Sequence, residues 1–247
     1  MKLDQKSNDE RPDLETILAT AVPKITDELH SLEDIAWYGS TFFVTSGGFQ
    51  SSWGKAFKYF SLTATYLTAI FIFELGSLIC GVAPTSTALV VGRAIAGIGA
   101  AGVSSGTYIL IAFAARPERR PVFVGIFGLC FGIASVVEPL IGGAFTDYVS
   151  WRWCFYVNLP MSGLSALLIL ICYHTPSWAK PAEASRPEKL LQMDPLGTVL
   201  ALEAIIAYIL AMQYGGQAEL WNSSKVIGLL VGFVFIAAAF AMLASGP

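Results

Sequence analysis

Long runs almost empty of charge recur along the chain at the length that crosses a lipid bilayer, and this removes most folds from consideration. About 30 Å of hydrocarbon takes roughly 20 residues of α-helix at about 1.5 Å each. Seven runs meet that requirement: Ile35 to Gly54, Leu62 to Val82, Ala88 to Ala115, Pro121 to Thr146, Trp153 to Tyr173, Pro195 to Tyr214 and Val226 to Ala244. Hydrocarbon offers no water to backbone N–H and C=O groups, so each span must satisfy them within itself or within a closed barrel. Strand-like alternation is absent, which selects helices. The expected fold is all-α and polytopic. Composition agrees, with 55% hydrophobic and 13% charged residues, where a soluble domain carries about 25% charged.

The separators "KAFKYFS", "APTST", "RPERR", "DYVSWR" and "GGQAELWNSSK" are short and punctuated by Gly, Pro or charge, while "HTPSWAKPAEASRPEKLLQMD" is longer. They divide the chain into a polar N-terminal segment (1–34), a helix bundle (35–173), a loop (174–194) and two further helices (195–247). Lys and Arg then fall in alternate loops. Lys55, Lys58, Arg116, Arg119, Arg120, Lys180, Arg186 and Lys189 lie on one side, eight in all, against Arg152 and Lys225 on the other. Such an excess marks the cytosolic side and makes the 174–194 loop cytosolic. Asn222 opens an N-x-S sequon in an outer loop and is the expected glycosylation site.

Nine acids among the first 34 residues produce most of the net charge of −3, so the balance says little about partners. That head reads as a solvated or interfacial stretch. Its apolar run, Ile17 to Val22, is too short to span; either a first helix lacks its opening half, or the segment lies at the interface. No charged-then-apolar start with a cleavage site marks a secretory signal.

Soluble chemistry finds little support. Cys80, Cys130, Cys154 and Cys172 all fall inside spans with neither disulfide nor zinc spacing. His30 and His174 are far apart and build no metal or nucleophile set. "GIGAAG", Gly97 to Gly102, fits a dinucleotide fingerprint, but no strand precedes it and it lies within an apolar span. The sequence therefore points to no enzyme, no cofactor, no metal and no nucleic-acid partner.

Gly92, Gly97, Gly99, Gly102 and Gly106 in one span, and Gly125, Gly128 and Gly132 in the next, read as surfaces for close helix packing. Four charges stand within spans: Glu74, Arg93, Glu138 and Glu203. A central charge costs about 2.5–3.5 kcal/mol on insertion scales, so each needs pairing, water or neutralisation. Counted from the outer ends, Arg93 lies about 8 Å deep and Glu74 and Glu138 about 12 Å, in one leaflet. Glu203 lies nearer the cytosolic end of its span. Arg93 could instead snorkel or pin two helices together, and Glu74 and Glu203 could be hydrated carboxylates or ones kept neutral at a lipid edge.

"LVVGRAIAGIGAA", Leu89 to Ala101, resembles the fourth-helix motif of the major facilitator superfamily, with Arg93 and Gly97 on the motif's Arg and Gly and Ala96 replacing its Gln. "ASVVEPLIGG" resembles the fifth-helix antiporter motif: Pro139, Gly142 and Gly143 match, while Glu138 stands where that motif has Gly. "WRWCFYVNLP", with Trp151, Arg152, Asn158 and Pro160, and "MDPLGTVL" resemble the 14-helix drug:H⁺ antiporter branch, and the whole is similar to fungal toxin or multidrug efflux pumps. The resemblance covers about residues 14 to 244. Lys58 stands where the loop motif between helices two and three usually has Asp.

This resemblance implies a partial major-facilitator fold, an N-terminal helix bundle plus two linker helices, with part of the first helix and the C-terminal bundle missing. It implies proton-driven export of a small organic compound, a drug, toxin or secondary metabolite, from the plasma membrane, with the vacuolar membrane as the alternative. Arg93, Glu138 and Glu74 would form the charge network, Gly97 and Gly99 would serve packing, and Phe42, Phe43 and Tyr108 are candidates for the substrate cavity. The lipid bilayer, protons and the organic solute are the expected partners, with a further transporter chain as another. Two alternatives stand: Glu138 is an accident in a tight packing position, or the chain is a non-transporting fragment or partner of a full-length transporter.

Overall fold

The computed structural model describes residues 16–31, 34–173, 195–215 and 221–244; the loop over 174–194 lies outside the described residues. Among those described, the elements are helices: α1 (Thr16–Leu29), α2 (Ile35–Tyr59), α3 (Leu62–Val82), α4 (Ser86–Ala114), α5 (Arg120–Tyr148), α6 (Trp153–Tyr156), α7 (Asn158–Cys172), α8 (Pro195–Tyr214) and α9 (Ser224–Ala244). A 3₁₀ turn, Pro117–Arg119, leads into α5.

Every expected span is helical, with two amendments. The span from Trp153 breaks at Val157, between α6 and α7. Pro160 explains it: a proline lacks the N–H that would bond the carbonyl four residues back, and its ring crowds that carbonyl, here Tyr156, where α6 ends. The second amendment concerns number, because six helical stretches, and not α2, are long and apolar enough to cross a membrane by themselves. α2 carries Ser40, Thr41, Thr45, Gln50 and Ser52, and it lies between α4 and α8. Some of its polar groups are satisfied there. Trp53 Nε1 donates to the Ile98 carbonyl at 2.8 Å, Ser52 and Thr198 hydroxyls meet at 2.5 Å, and Gln213 Nε2 donates to Ser40 Oγ at 3.5 Å.

The centre is α4 packed between α2 and α3. Ala69, Phe73, Gly76 and Cys80 form the α3 stripe that faces it, and the glycines of α4 let the backbones close. Gly92 faces Cys80, Gly99 faces Phe73 and Ala69, Gly102 faces Ala69 and Trp53, and Gly97 faces the Phe42 carbonyl. The α5 glycines differ from expectation. A Cβ at Gly125, Gly128, Gly132 or Gly143 would meet nothing within 4 Å. Spacing alone defines a smooth stripe on a helix but says nothing of the side on which a neighbour lies.

α1 is a packed element and not a surface segment. Ala21 and Ile25 are fully buried in a cluster with Tyr38, Cys80, Leu89, Trp151, Cys154 and Phe155 at the end of the bundle where α3 stops and α4 starts. A second cluster, around Phe57, Leu62, Tyr66 and Ile70, fills the opposite end.

Candidate functional site

Arg93 sits two turns into α4, whose first turn is capped by Thr85: its hydroxyl accepts from the Ala88 N–H at 3.2 Å. The side chain is buried, with Nε donating to the Tyr38 carbonyl at 2.8 Å and the guanidinium 4.5 Å from the centre of the Phe42 ring. Tyr38 is fully buried and its hydroxyl donates to Ser86 Oγ at 2.9 Å. Ser86 and Ser31 hydroxyls each donate to Asp34 Oδ2 at 2.5 Å. These two bonds, Ser31 first, hold the Asp34 carboxyl below its usual range. The arrangement runs from a carboxylate at the start of α2, through two hydroxyls, to the residue whose carbonyl holds the cation.

The three charges of the expected network stand on three different helices, Glu74 on α3, Arg93 on α4 and Glu138 on α5. Glu74 is half-buried on α3; its Oε1 is buried with no hydrogen-bond partner among the described residues and lies 3.6 Å from where a Cβ on Gly163 would stand. It therefore faces α7, off the stripe that meets α4. Glu138 is exposed on α5, so it does not crowd a helix contact as its place in a glycine motif suggested. Glu203 is exposed on α8.

The remaining expected residues divide by face. Gly97 and Gly99 are buried packing positions, and the Gly142 carbonyl accepts from Thr146 Oγ1 at 2.6 Å. Pro139 lies inside α5, Asn158 opens α7 half-buried, and Pro160 and Asn222 are exposed. Phe43 and Tyr108 are exposed, Phe43 edge-on to Phe42 at 6.0 Å and Tyr108 edge-on to Phe127 at 5.3 Å. Phe42 and Phe43 of α2 thus touch each other, while Tyr108 of α4 touches Phe127 of α5.

Trp151 and Arg152 build a second constellation at the C-terminal end of α3. Arg152 Nη1 donates to the Gly81 and Ala83 carbonyls at 3.1 and 2.8 Å, capping the C-terminus of α3, and Nη2 donates to Glu28 Oε1 at 2.9 Å. Trp151 Nε1 donates to Glu28 Oε2 at 2.6 Å, and the guanidinium lies 4.4 Å from the Trp151 ring centre. The Trp151 bond, followed by Arg152, holds the Glu28 carboxyl below its ordinary value; partial burial opposes them. Close by, Lys24 Nζ pairs with Asp147 at 3.0 Å.

The pattern of the Major Facilitator Superfamily matches residues 14–247. The chain belongs to the major facilitator superfamily. It is an integral membrane protein with a partial major-facilitator fold. It is 60% identical over 225 residues to the MFS-type transporter grgE of Penicillium sp, covering 91% of this chain and 40% of that protein. It is 56% identical to the MFS-type transporter thnB of Trichoderma harzianum, over 90% of this chain and 38% of thnB. It is 54% identical to the probable efflux pump gsfJ of Penicillium aethiopicum, over 91% of this chain and 40% of gsfJ. The chain thus spans about two fifths of the length of these superfamily relatives.

Glu28, Asp34, Tyr38 and Ser86 were missed in the sequence reading. Glu28 and Asp34 belong to the acid-rich head and carry no local signal separating them from its other acids. "APTS" before an apolar run does signal a helix start at Ser86, but not the contact across to Tyr38.

Proposed function

We propose that the chain takes part in exporting a small organic compound, a drug, toxin or secondary metabolite, in exchange for protons, at the plasma membrane or, as the alternative, the vacuolar membrane. The observation that carries this reading is Arg93. A permanent cation buried in a helix bundle is expensive, and one held by a backbone carbonyl and an aromatic face is a fixed positive charge around which proton exchange can be organised. Glu138 and Glu74 are the proposed proton carriers. The name of the related gsfJ, probable efflux pump, supports the direction of transport.

Alternating access requires one bundle to rock against another around a midplane site. The proposal therefore places an opposing bundle beside this one, on the same or another polypeptide. A second reading, a membrane partner that transports nothing, is favoured by the open flank of α5.

The test is reconstitution in liposomes with an imposed proton gradient and a fluorescent amphiphile. We expect no gradient-dependent movement with this chain alone, and movement when it is joined to the C-terminal remainder of gsfJ. Loss of that movement on Arg93→Gln is the expected signature. Movement by the chain alone would remove the need for a second bundle, and an inert chimera would favour the second reading.

A further inference from the structure

Asp34 stands at the start of α2, where an aspartate ordinarily accepts a hydrogen bond from the backbone of its own first turn. Here its side chain makes no such bond, and the N–H of Trp37, which a cap would hold, goes to the Asp34 backbone carbonyl at 2.9 Å. Its Oδ2 turns across to α4 and accepts from Ser86 Oγ at 2.5 Å, with Ser31 Oγ on the same oxygen at 2.5 Å. Ser86 is equally unneeded for capping, because Thr85 already caps α4. The buried Ser86 hydroxyl gives its one proton to Asp34, so toward Tyr38 it can only accept.

Tyr38 therefore touches α4 at two points. Its hydroxyl donates to Ser86 at 2.9 Å, and its carbonyl accepts from Arg93 Nε at 2.8 Å. Ser86 and Arg93 stand at i and i+7, two turns apart on one face of α4. The tyrosine that joins them is fully buried in the cluster with Cys80 and Leu89. A side chain held along its ring and at its hydroxyl presents its backbone carbonyl in one place, and that carbonyl holds the guanidinium. In a run of donors that ends on a carboxylate, each bond polarises the next.

We infer that Asp34, Ser86 and Tyr38 are positioning residues for Arg93: the carboxylate orients the Ser86 hydroxyl, that hydroxyl anchors the Tyr38 ring, and the Tyr38 carbonyl sets where the guanidinium stands beside Phe42. The placement of the fixed cation is thereby governed from the start of α2, by a carboxylate other than the proposed proton carriers. Its bearing on proton exchange rests on the function proposed above, whereas the placement itself is read on this chain without any transport.

The test is the Arg93 Nε–H resonance of the full chain, made with isotope-labelled arginine in lipid nanodiscs and assigned by its loss in Arg93→Gln. It should exchange slowly with water. Asp34→Ala, Ser86→Ala and Tyr38→Phe should each shift that resonance and speed its exchange by about fivefold or more, the factor that one net hydrogen bond supports. Arg152, bonded to the end of α3 and to Glu28, should keep its signals in all three. Tyr38→Phe retains the buried ring and decides the point if the other variants yield no folded protein. Unchanged exchange at Arg93 in the deciding variant, or an equal change at Arg93 and Arg152, overturns the positioning role.

Discussion

Gly76 of α3 lies so close to Ala96 of α4 that a Cβ on the glycine would stand 2.6 Å from the alanine Cα. The obstacle is backbone, which cannot rotate aside. Gly76→Val should therefore lower the melting temperature in detergent sharply, beyond the about 1–3 kcal/mol typical of overpacking. Gly128→Ala, which meets open space, should leave it unchanged or slightly raised. Equal losses at both positions would show that α5 packs as the glycine spacing first suggested.

Arg93→Ala removes a charge-assisted bond to the Tyr38 carbonyl and the contact with Phe42. A loss of about 1.5–3 kcal/mol follows from the bond, seen as a lower unfolding temperature by tryptophan fluorescence. Arg93→Lys should recover little, since an ammonium lacks the planar face that stacks on the ring.

Glu28, held by Trp151 and Arg152, gives the fold a pH dependence of definite sign. Its carboxyl stays ionised to lower pH in the folded protein than its ordinary value of 4.5. The stabilisation is therefore complete above that value and is lost as pH falls through the lowered one. Glu28→Gln should flatten part of the decline in melting temperature as pH falls below 4.5. An unchanged slope in this variant would show that Glu28 is not held ionised by Trp151 and Arg152.

Glu138→Gly restores the residue of the antiporter motif. Because Glu138 is exposed, the change relieves no crowding, and glycine is a weaker helix former by up to about 1 kcal/mol. A flat or lowered melting temperature is expected. A rise would mean the carboxylate was being forced into a helix contact.

Asn222 is exposed in a loop that the Lys and Arg distribution puts outside. Expression in a eukaryotic host should give a band that shifts on glycosidase treatment and does not shift in Asn222→Gln. A sequon engineered beside Arg116 should stay unmodified; its modification would invert the topology.

The helices were legible because a bilayer imposes one length and one hydrogen-bonding solution, and the α4 glycines were legible because they cluster on one helix. Which neighbour each helix has was not. Span lengths put Glu74 and Arg93 at similar expected depth, yet the α3 stripe at Ala69, Phe73, Gly76 and Cys80 turns Glu74 toward α7. Rotational facing is set by contacts distant in sequence, and depth carries no information about it. Glu28 stayed hidden for the same reason: its partners lie more than 120 residues away.

α2 is the expected span that falls short of the combined length and apolarity needed to cross a membrane by itself, and it packs against α4 and α8. During synthesis such a segment gains little by leaving the translocation channel alone, since its serines and threonines would face hydrocarbon. Its release is favoured once α4 has emerged to cover one side, and α8, about 140 residues later, covers another. Membrane integration of this chain should therefore depend on the order of translation, with α2 settling once α4 and α8 can satisfy groups such as Trp53 Nε1 and the Ser52 hydroxyl.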